Sequence, residues 1–395
     1  MAMAAGTPDK TIVLTGAGSG GHITPVLAVA AEIKRLRPGA RLVYIGQRGD
    51  KLGDIPAGDP AIDEVFTVRA GKFRRYHGEG WKQLLDVVTW FKNIRDVGYV
   101  VVGLYQSWRF LRRLRPDVIF IKGGFVGVPV GLAAAWLRIP YITHDSDALP
   151  GLANRIISRW ADRHAVALPP ETYKYPADKT VMTGIPLQAD FKPMTPKLKQ
   201  TYRTKLKLPA KAKVLFIIGG GLGAQRVNQA VASAVPHLLR EFADLYVVHA
   251  AGRANETDLE TLYSEKLSPA EQGRLQVRGF ITDVYLYSGA ADVIVTRAGA
   301  TNLAEFALQG KACVVVPNPV LTGGHQLANA RYLAEQQAAV VIDEAELTAD
   351  PNRLARQVSG LLNDPGHCRQ LSAQLAKFAK PQATAELARL ILDEA

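Results

Sequence analysis

Thr11-Ile12-Val13-Leu14-Thr15 runs into Gly16-Ala17-Gly18-Ser19-Gly20-Gly21 and then His22, and far downstream Val214-Leu215-Phe216-Ile217-Ile218 runs into Gly219-Gly220-Gly221-Leu222-Gly223-Ala224. Each apolar strand meets a glycine loop, and each loop opens an amphipathic helix. Glycines there let the backbone turn tightly and approach a ligand closely. The free N–H groups at a helix start favour an anion. A chain that begins twice in this way predicts an α/β protein of two Rossmann-like domains. Each is a doubly wound parallel sheet, and the two face one another across a cleft that holds an anionic substrate.

Working outward, strand and helix patterns alternate in both halves, as a parallel sheet with helices on both faces requires. In the first half, Pro25 to Leu36 and Gln83 to Leu114 are helical by spacing. Leu42 to Ile45, Val118 to Ile121 and Tyr141 to Thr143 read as strands. The texture changes at Pro186, and Lys192-Pro193-Met194-Thr195-Pro196-Lys197 reads as a linker. Strands recur near Val214, Leu245, Leu275, Val293 and Cys313, and from Glu346 onward the pattern is helical only. The expected division is a first domain over 1–186, a linker over 187–212 and a second domain over 213–378. A C-terminal helix over 379–395 is placed so that it could pack back on the first domain.

At 395 residues with 48% hydrophobic and 21% charged residues, the chain has the composition of a globular protein. Its two cysteines, Cys313 and Cys368, form no disulfide framework and no zinc spacing, which fits a reducing compartment. Met1 to Pro8 lacks the basic start and apolar stretch of a signal peptide. Gly123 to Leu137 is too short to span a bilayer and contains Pro129. The net charge of +12 is unevenly placed: Lys72 to Arg115 holds ten Lys/Arg against three Asp/Glu. The same stretch carries Trp81, Trp90, Trp108 and several other aromatics. That mixture suits an anionic bilayer surface, with Lys72, Arg74, Arg75 and Trp81 at its start. Nucleic acid and a solvated helix face with its aromatics in the core are the competing readings.

Three further features bear on chemistry. The first loop also fits G-x-G-x-x-G, but Gly46-Gln47-Arg48 stands where a dinucleotide fold places its acidic ribose ligand, so only an NADP reading survives. The loop ends in His22 rather than Lys-Ser/Thr, so it is no P-loop. A histidine at that junction can act as proton acceptor to a group held by the loop, or can simply order the loop. Arg297-Ala298-Gly299-Ala300-Thr301-Asn302-Leu303-Ala304-Glu305 follows another apolar strand. Gly299 and Ala300 leave room for a diphosphate, and Glu305 can accept both hydroxyls of a ribose. In Gly323-Gly324-His325-Gln326, the Gln326 amide suits sugar hydroxyls.

Together these segments resemble the MurG-type N-acetylglucosaminyltransferases of peptidoglycan synthesis, glycosyltransferase family 28, over nearly the whole chain. Gly18 to Pro25 looks like the family's G-G-T-G-G-H-x-x-P loop. Gly123-Gly124-Phe125-Val126 and His144 to Arg155 look like its acceptor-domain loops. Gly219 to Asn228, Phe280 to Asp283, Arg297 to Glu305 and His325 to Ala330 look like its second glycine loop and donor-site segments. The resemblance implies a GT-B fold, with UDP-N-acetylglucosamine on the C-terminal half. There Ile281 meets uracil, Ala300, Thr301 and Asn302 hold the diphosphate, Leu303 and Ala304 continue that helix, Glu305 takes the ribose and Gln326 reads the sugar. Ser19, Gly20, Gly21 and His22 face the transferring sugar, and Gly123 and Gly124 face the acceptor. The acceptor it implies is the lipid-linked muramyl-pentapeptide at the cytoplasmic face of the cell membrane, with no nucleic acid partner. No metal or other cofactor is expected, because no carboxylate cluster demands one.

The departures are specific. The family's H-E-Q-N is His144-Asp145-Ser146-Asp147, its G-N-P-V-R is Gly184-Ile185-Pro186-Leu187-Gln188, and the serine of the second glycine loop is Gly221. A carboxylate thus replaces an amide at Asp147, and Gln188 replaces an arginine. The expected chemistry is single displacement with inversion, with His22 as base and Asp145 or Asp147 as alternative or support. Open alternatives are another UDP-sugar, a glycolipid acceptor such as diacylglycerol, and a non-catalytic nucleotide-sugar-binding relative.

Overall fold

The computed structural model describes residues 9–16, 18, 20–50, 52–71, 87–219, 224–320 and 324–395, with backbone alone for 87–94. Ser19, Lys72, Arg74, Arg75, Trp81 and Gly221 lie outside the described residues. The chain forms two compact units, residues 1–189 with 380–395, and residues 190–379.

The first unit is built on seven parallel strands: β1 (Thr11–Thr15), β2 (Arg41–Gln47), β3 (Glu64–Val68), β4 (Val118–Ile121), β5 (Tyr141–Asp145), β6 (Arg163–Val166) and β7 (Thr180–Met182), ordered β3-β2-β1-β4-β5-β6-β7. β1 and β4 are buried throughout, apolar at Ile12, Val13 and Leu14 and at all four residues of β4, because helices cover both faces. On one face, helices Gly20–Leu36 and Ala383–Asp393 pack through Val26, Val29, Ile33, Leu387 and Ile391. On the other, helices Val87–Leu114 and Gly127–Leu137 pack through Leu111, Val126, Val130 and Ala134.

The helix read from Pro25 onward begins earlier, at Gly20, with Pro25 inside it. Proline offers no N–H to the carbonyl four residues back and crowds it. That carbonyl belongs to Gly21, where no side chain adds to the crowding, and the Thr24 hydroxyl donates to Gly20 O at 3.0 Å.

The second unit repeats the plan with six parallel strands: β8 (Lys213–Ile218), β9 (Leu245–Ala250), β10 (Leu275–Arg278), β11 (Val293–Thr296), β12 (Ala312–Val315) and β13 (Val340–Val341), ordered β10-β9-β8-β11-β12-β13. The stretch read as a linker is in part helix Pro196–Lys205 of this unit. Thr195 caps it, accepting from Leu198 N, and Pro196 takes the first turn, where no N–H is needed. Lys199 and Arg203 both pair with Asp292, and Tyr202 is buried against Gly289. The proline-bearing texture of a linker is here the start signal of a docked helix.

In both sheets the strand order reverses beside the first strand, between β1 and β4 and between β8 and β11. The loops that leave there separate and form a crevice at the carboxyl ends of the strands.

Candidate functional site

In the first unit, the switch point gathers the loops after β1, β4 and β5. Gly16 is required by space: a Cβ there would lie 2.6 Å from His22 O. Gly18 is required by both conformation (φ +89) and contact, since a Cβ would lie 2.7 Å from the Phe125 ring. The first glycine loop is therefore folded onto the Gly123-Gly124-Phe125 loop, and its Gly18 N–H donates to Asp50 Oδ2 at 3.0 Å.

His22 stands in the first turn of its helix, half-buried. The space where a Cβ on Gly123 would sit is 3.8 Å from His22 Cε1 and 3.6 Å from Asn154 Nδ2, and Gly123 itself has φ +102. A side chain at Gly123 would crowd both groups and strain the backbone. Asn154 is buried and donates to His144 O at 2.9 Å, while its Oδ1 has no hydrogen-bond partner among the described residues.

Beneath this lie three buried ionisable side chains at strand ends. His144 Nε2–H donates to Gly184 O at 2.8 Å. Burial, reinforced by the Lys122 cation, holds its pKa well below the ordinary value, so the ring is neutral. Asp145 accepts from Tyr175 Oη at 2.7 Å and from Gly151 N at 3.0 Å. Burial raises its pKa against the pull of those two donors. With these partners Asp145 braces the loop from Ser146 to Gly151. Lys122, only 2% exposed, reaches Ser146 Oγ at 2.6 Å. Burial lowers its pKa to about 8, opposed by the Asp147 and Asp145 carboxylates. Asp147 is half-buried on the loop above, where its carbonyl accepts from Tyr173 Oη at 3.1 Å. Gln188 is exposed, beyond β7, and does not join this cluster.

In the second unit the switch point joins the loops after β8, β11 and β12. A Cβ on Gly219 would lie 2.7 Å from that of Ala224, so these two residues approach closely. Helix Ala300–Leu308 starts at Gly299, and among the described residues no side chain caps it. Among the described residues nothing lies within 4 Å of a Cβ position on Gly299. Ala300, Thr301 and Asn302 form the first turn of the helix, and a helix start of this kind favours an anion. Leu303 is buried and Ala304 half-buried on the same helix. Glu305 is half-buried one turn further on, and loss of hydration pushes its pKa up to about 8.

Two supports hold that helix start. Arg297 donates to Val316 O at 3.2 Å and pairs with Glu344 at 2.5 Å, both side chains being buried; Glu344 also binds Arg226 at 2.7 Å. Asn329 Nδ2 donates to Ala298 O at 3.0 Å, tying helix His325–Glu335 to the same loop. On that helix the Gln326 carboxamide oxygen accepts from Asn318 N at 2.9 Å, which turns its NH2 group the other way. Ile281 is half-buried beside exposed Phe280, whose ring carries the Arg253 guanidinium 4.6 Å from its centre.

The first unit also carries an apolar and basic surface. Val101 and Tyr105 on helix Val87–Leu114, Trp136 on Gly127–Leu137, and Trp160 are all at least half exposed, Trp136 by 71%. Trp108 lies 6.3 Å from Trp136, ring to ring, with the Arg112 guanidinium over it. Tyr105, Trp108, Arg109, Arg112 and Arg113 line a shallow cavity of about 460 Å³. Among the described residues no helix is long and apolar enough to cross a membrane.

Residues 12–166 match the model of the glycosyltransferase family 28 N-terminal domain, and residues 214–387 that of the family 28 C-terminal domain. The chain belongs to glycosyltransferase family 28. It is 35% identical over 376 residues to the UDP-N-acetylglucosamine–N-acetylmuramyl-(pentapeptide) pyrophosphoryl-undecaprenol N-acetylglucosamine transferase of Desulforudis audaxviator, covering 94% of this chain and 95% of that one. The enzyme of the same name from Geotalea daltonii is 31% identical over 384 residues, covering 97% and 96%. Among solved structures, MurG of Acinetobacter baumannii superposes with a TM-score of 0.69 at 26% identity, over 97% of this chain and 99% of that one. A kitacinnamycin glycosyltransferase shares the fold at 18% identity and a TM-score of 0.68. This family 28 glycosyltransferase therefore has the GT-B fold.

Sequence reasoning overlooked Lys122, Asn154 as a brace for β5, and the Arg226-Glu344-Arg297 chain that supports helix Ala300–Leu308. A signal existed for the first: a lysine directly after Val118-Ile119-Phe120-Ile121, a strand buried on both faces, must end in the crevice. Glu344 offered none, because it is remote in sequence from the residues it holds.

Proposed function

We propose that this glycosyltransferase moves N-acetylglucosamine from UDP-N-acetylglucosamine to a lipid-linked muramyl-pentapeptide, forming the disaccharide precursor of peptidoglycan. The observation that carries the reading is the start of helix Ala300–Leu308 at the second switch point, which no side chain caps among the described residues, with Glu305 on that helix and Gln326 on the next. The names of the relatives at 31–35% identity support the substrate pair.

In this reading the diphosphate lies on the N–H groups of Ala300, Thr301 and Asn302, and Glu305 accepts from the ribose hydroxyls. The NH2 of Gln326 meets the sugar, and the Ile281 backbone meets uracil. The family resemblance adds Ser19, Gly20, Gly21, Asp147, Gln188 and Gly221 as further donor-binding candidates.

The reaction is a single displacement. The acceptor hydroxyl oxygen bonds to the anomeric carbon, the bond to the diphosphate oxygen breaks, and its electron pair leaves with UDP. His22 takes the hydroxyl proton, a role worth roughly 10²–10⁴-fold in such catalysis. Asp145, with both oxygens engaged, supports the loop rather than the proton transfer. Charge growing on UDP is met by the helix start, so the reading requires no metal and no cofactor.

The face bearing Tyr105, Trp108, Trp136, Arg109 and Arg112 docks to anionic lipid at the cytoplasmic surface, where the acceptor's lipid tail is anchored. A His22→Ala variant assayed with UDP-N-acetylglucosamine and the lipid-linked acceptor tests the chemistry, and near-normal turnover removes His22 from it. Calorimetric competition among UDP and several UDP-sugars tests the donor. Equal affinity for all would end the claim of N-acetylglucosamine selectivity.

A further inference from the structure

Asn228, His249 and Tyr263 are buried polar side chains of the second unit that the mechanism above leaves unused. Asn228 stands near the start of helix Gln225–Glu241, His249 on β9 and Tyr263 on helix Glu256–Lys266. Apolar side chains would fill the same core without burying a polar group. The sense of each hydrogen bond among them is fixed. Asn228 Nδ2 donates to Ala251 O at 2.8 Å, which turns Oδ1 toward His249 Nε2 at 3.1 Å. Oδ1 only accepts, so Nε2 carries the ring hydrogen. Burial lowers the ring's pKa to about 4, so the ring is neutral and Nδ1 is an acceptor. Tyr263 Oη, 3.1 Å away, donates to it. Both ring nitrogens are satisfied, and a buried network satisfied in this way specifies a single arrangement.

The network ends on Ala251, where β9 leaves the sheet. The Ala251 carbonyl also accepts from Asn255 Nδ2 at 3.0 Å, and its N–H donates to Arg278 O, at the end of β10, at 2.8 Å. Asn228 N donates to Ala224 O at 2.8 Å, tying in the residue that follows β8 and the second glycine loop. The segments leaving β8, β9 and β10 thus share one buried node. Just beyond it, a Cβ on Gly279 would collide with the Glu256 carboxylate and lie 3.2 Å from Arg253 Cα. The Arg253 guanidinium in turn covers the Phe280 ring, and Ile281 follows directly.

We infer that Tyr263, His249 and Asn228 form a positioning relay for the nucleoside end of the donor, holding the loops after β9 and β10 in register so that Ile281 meets the base in one place. The three act through Ala251 and Arg278 rather than on the ligand. The inference rests on the proposed donor for its ligand.

The test is calorimetric affinity of the full-length protein for UDP and for ADP, which share a ribose and a diphosphate and differ in the base. The wild type is expected to prefer UDP. Tyr263→Phe removes one hydroxyl and leaves His249 Nδ1 a buried acceptor without its donor. It is expected to cut the preference about fivefold, by weakening UDP while ADP stays within about twofold. Equal weakening of both nucleotides, or an unchanged preference, overturns the relay and leaves the donor reading standing. A wild type that binds UDP and ADP alike ends the donor reading and takes the relay's ligand with it.

Should Tyr263→Phe fail to fold, a second measurement needs no variant. Nitrogen-15 NMR of the wild type reports which ring nitrogen of His249 carries hydrogen. The expected result is hydrogen on Nε2, with an Hε2 signal that shifts when UDP binds and stays in place with inorganic pyrophosphate. Hydrogen on Nδ1, or an Hε2 signal unmoved by saturating UDP, overturns the relay.

Discussion

The two units share one plan and hold opposite kinds of site. Both order their strands 3-2-1-4-5-6, counted from each unit's own first strand, the first unit adding β7 at the edge, and both put a glycine loop after the first strand. Yet the crevice of the first is underlain by buried ionisable groups, with Lys122, His144 and Asp145 beneath His22. The crevice of the second is headed by the start of helix Ala300–Leu308, with charge kept below in the Arg297–Glu344 pair. The surfaces differ too. Among the described residues, most exposed large apolar side chains belong to the first unit, and only Phe280 and Val320 to the second. In the proposed reading one fold serves proton handling and lipid contact in one copy and anion binding in the other, because the loops, not the sheet, carry the chemistry.

The largest expected effect breaks the comparison at its catalytic side. His22→Ala should lower kcat by roughly 10²–10⁴-fold while calorimetric UDP affinity, a property of the second unit, stays near wild type. A matching fall in UDP affinity would show that the two sites are not separable.

Next comes the buried support of the second site. Arg297→Met leaves Glu344 a buried carboxylate with only exposed Arg226 beside it. Breaking such a pair from one side costs about 3–5 kcal/mol, so the thermal midpoint should drop and UDP binding with it. Unchanged denaturation would mean that Arg297 is not structurally required.

The third prediction is a pH dependence. Burial raises the Glu305 pKa to about 8 in the empty site. Ribose hydroxyls donate to the ionised form and so lower that pKa on binding. The complex then binds fewer protons than the free protein, and UDP affinity rises with pH, levelling off above about 8. Glu305→Gln should flatten that profile and weaken UDP by about 1.5–3 kcal/mol. A flat wild-type profile in calorimetry would remove Glu305 from the ribose.

The smallest effect sharpens the surface contrast. Trp136→Ser should weaken binding to vesicles containing anionic phosphatidylglycerol several-fold, roughly what loss of one buried aromatic contact gives. Added salt should weaken it further, because Arg109, Arg112 and Arg113 contribute about 1 kcal/mol each near such a surface. Equal binding to neutral vesicles would make the patch purely apolar in function.

Much of this was written in local sequence. The periodicity of β1, β4, β8 and β11 and the glycines that end them could be read directly, since a strand buried on both faces must be continuously apolar. Helix Ala300–Leu308 and Glu305 were legible for the same reason: a strand, a small-residue turn and a helix start are consecutive. Short edge strands such as β7 and β13 were not, because three or two residues carry no period. The docking of Pro196–Lys205 was also missed, since the partner that fixes it, Asp292, lies far along the chain.

The sequence by itself determined a twofold doubly wound architecture and the glycine turns that end its first strands, because those depend on residues that are neighbours in the chain. Only the tertiary structure decided that Lys122 lies under Ser146, that the Gly123 gap faces His22 and Asn154, and that Glu344 holds Arg297. Those contacts join strand ends brought together by the sheet, and their strength comes from burial, a property no linear stretch of residues possesses before it folds.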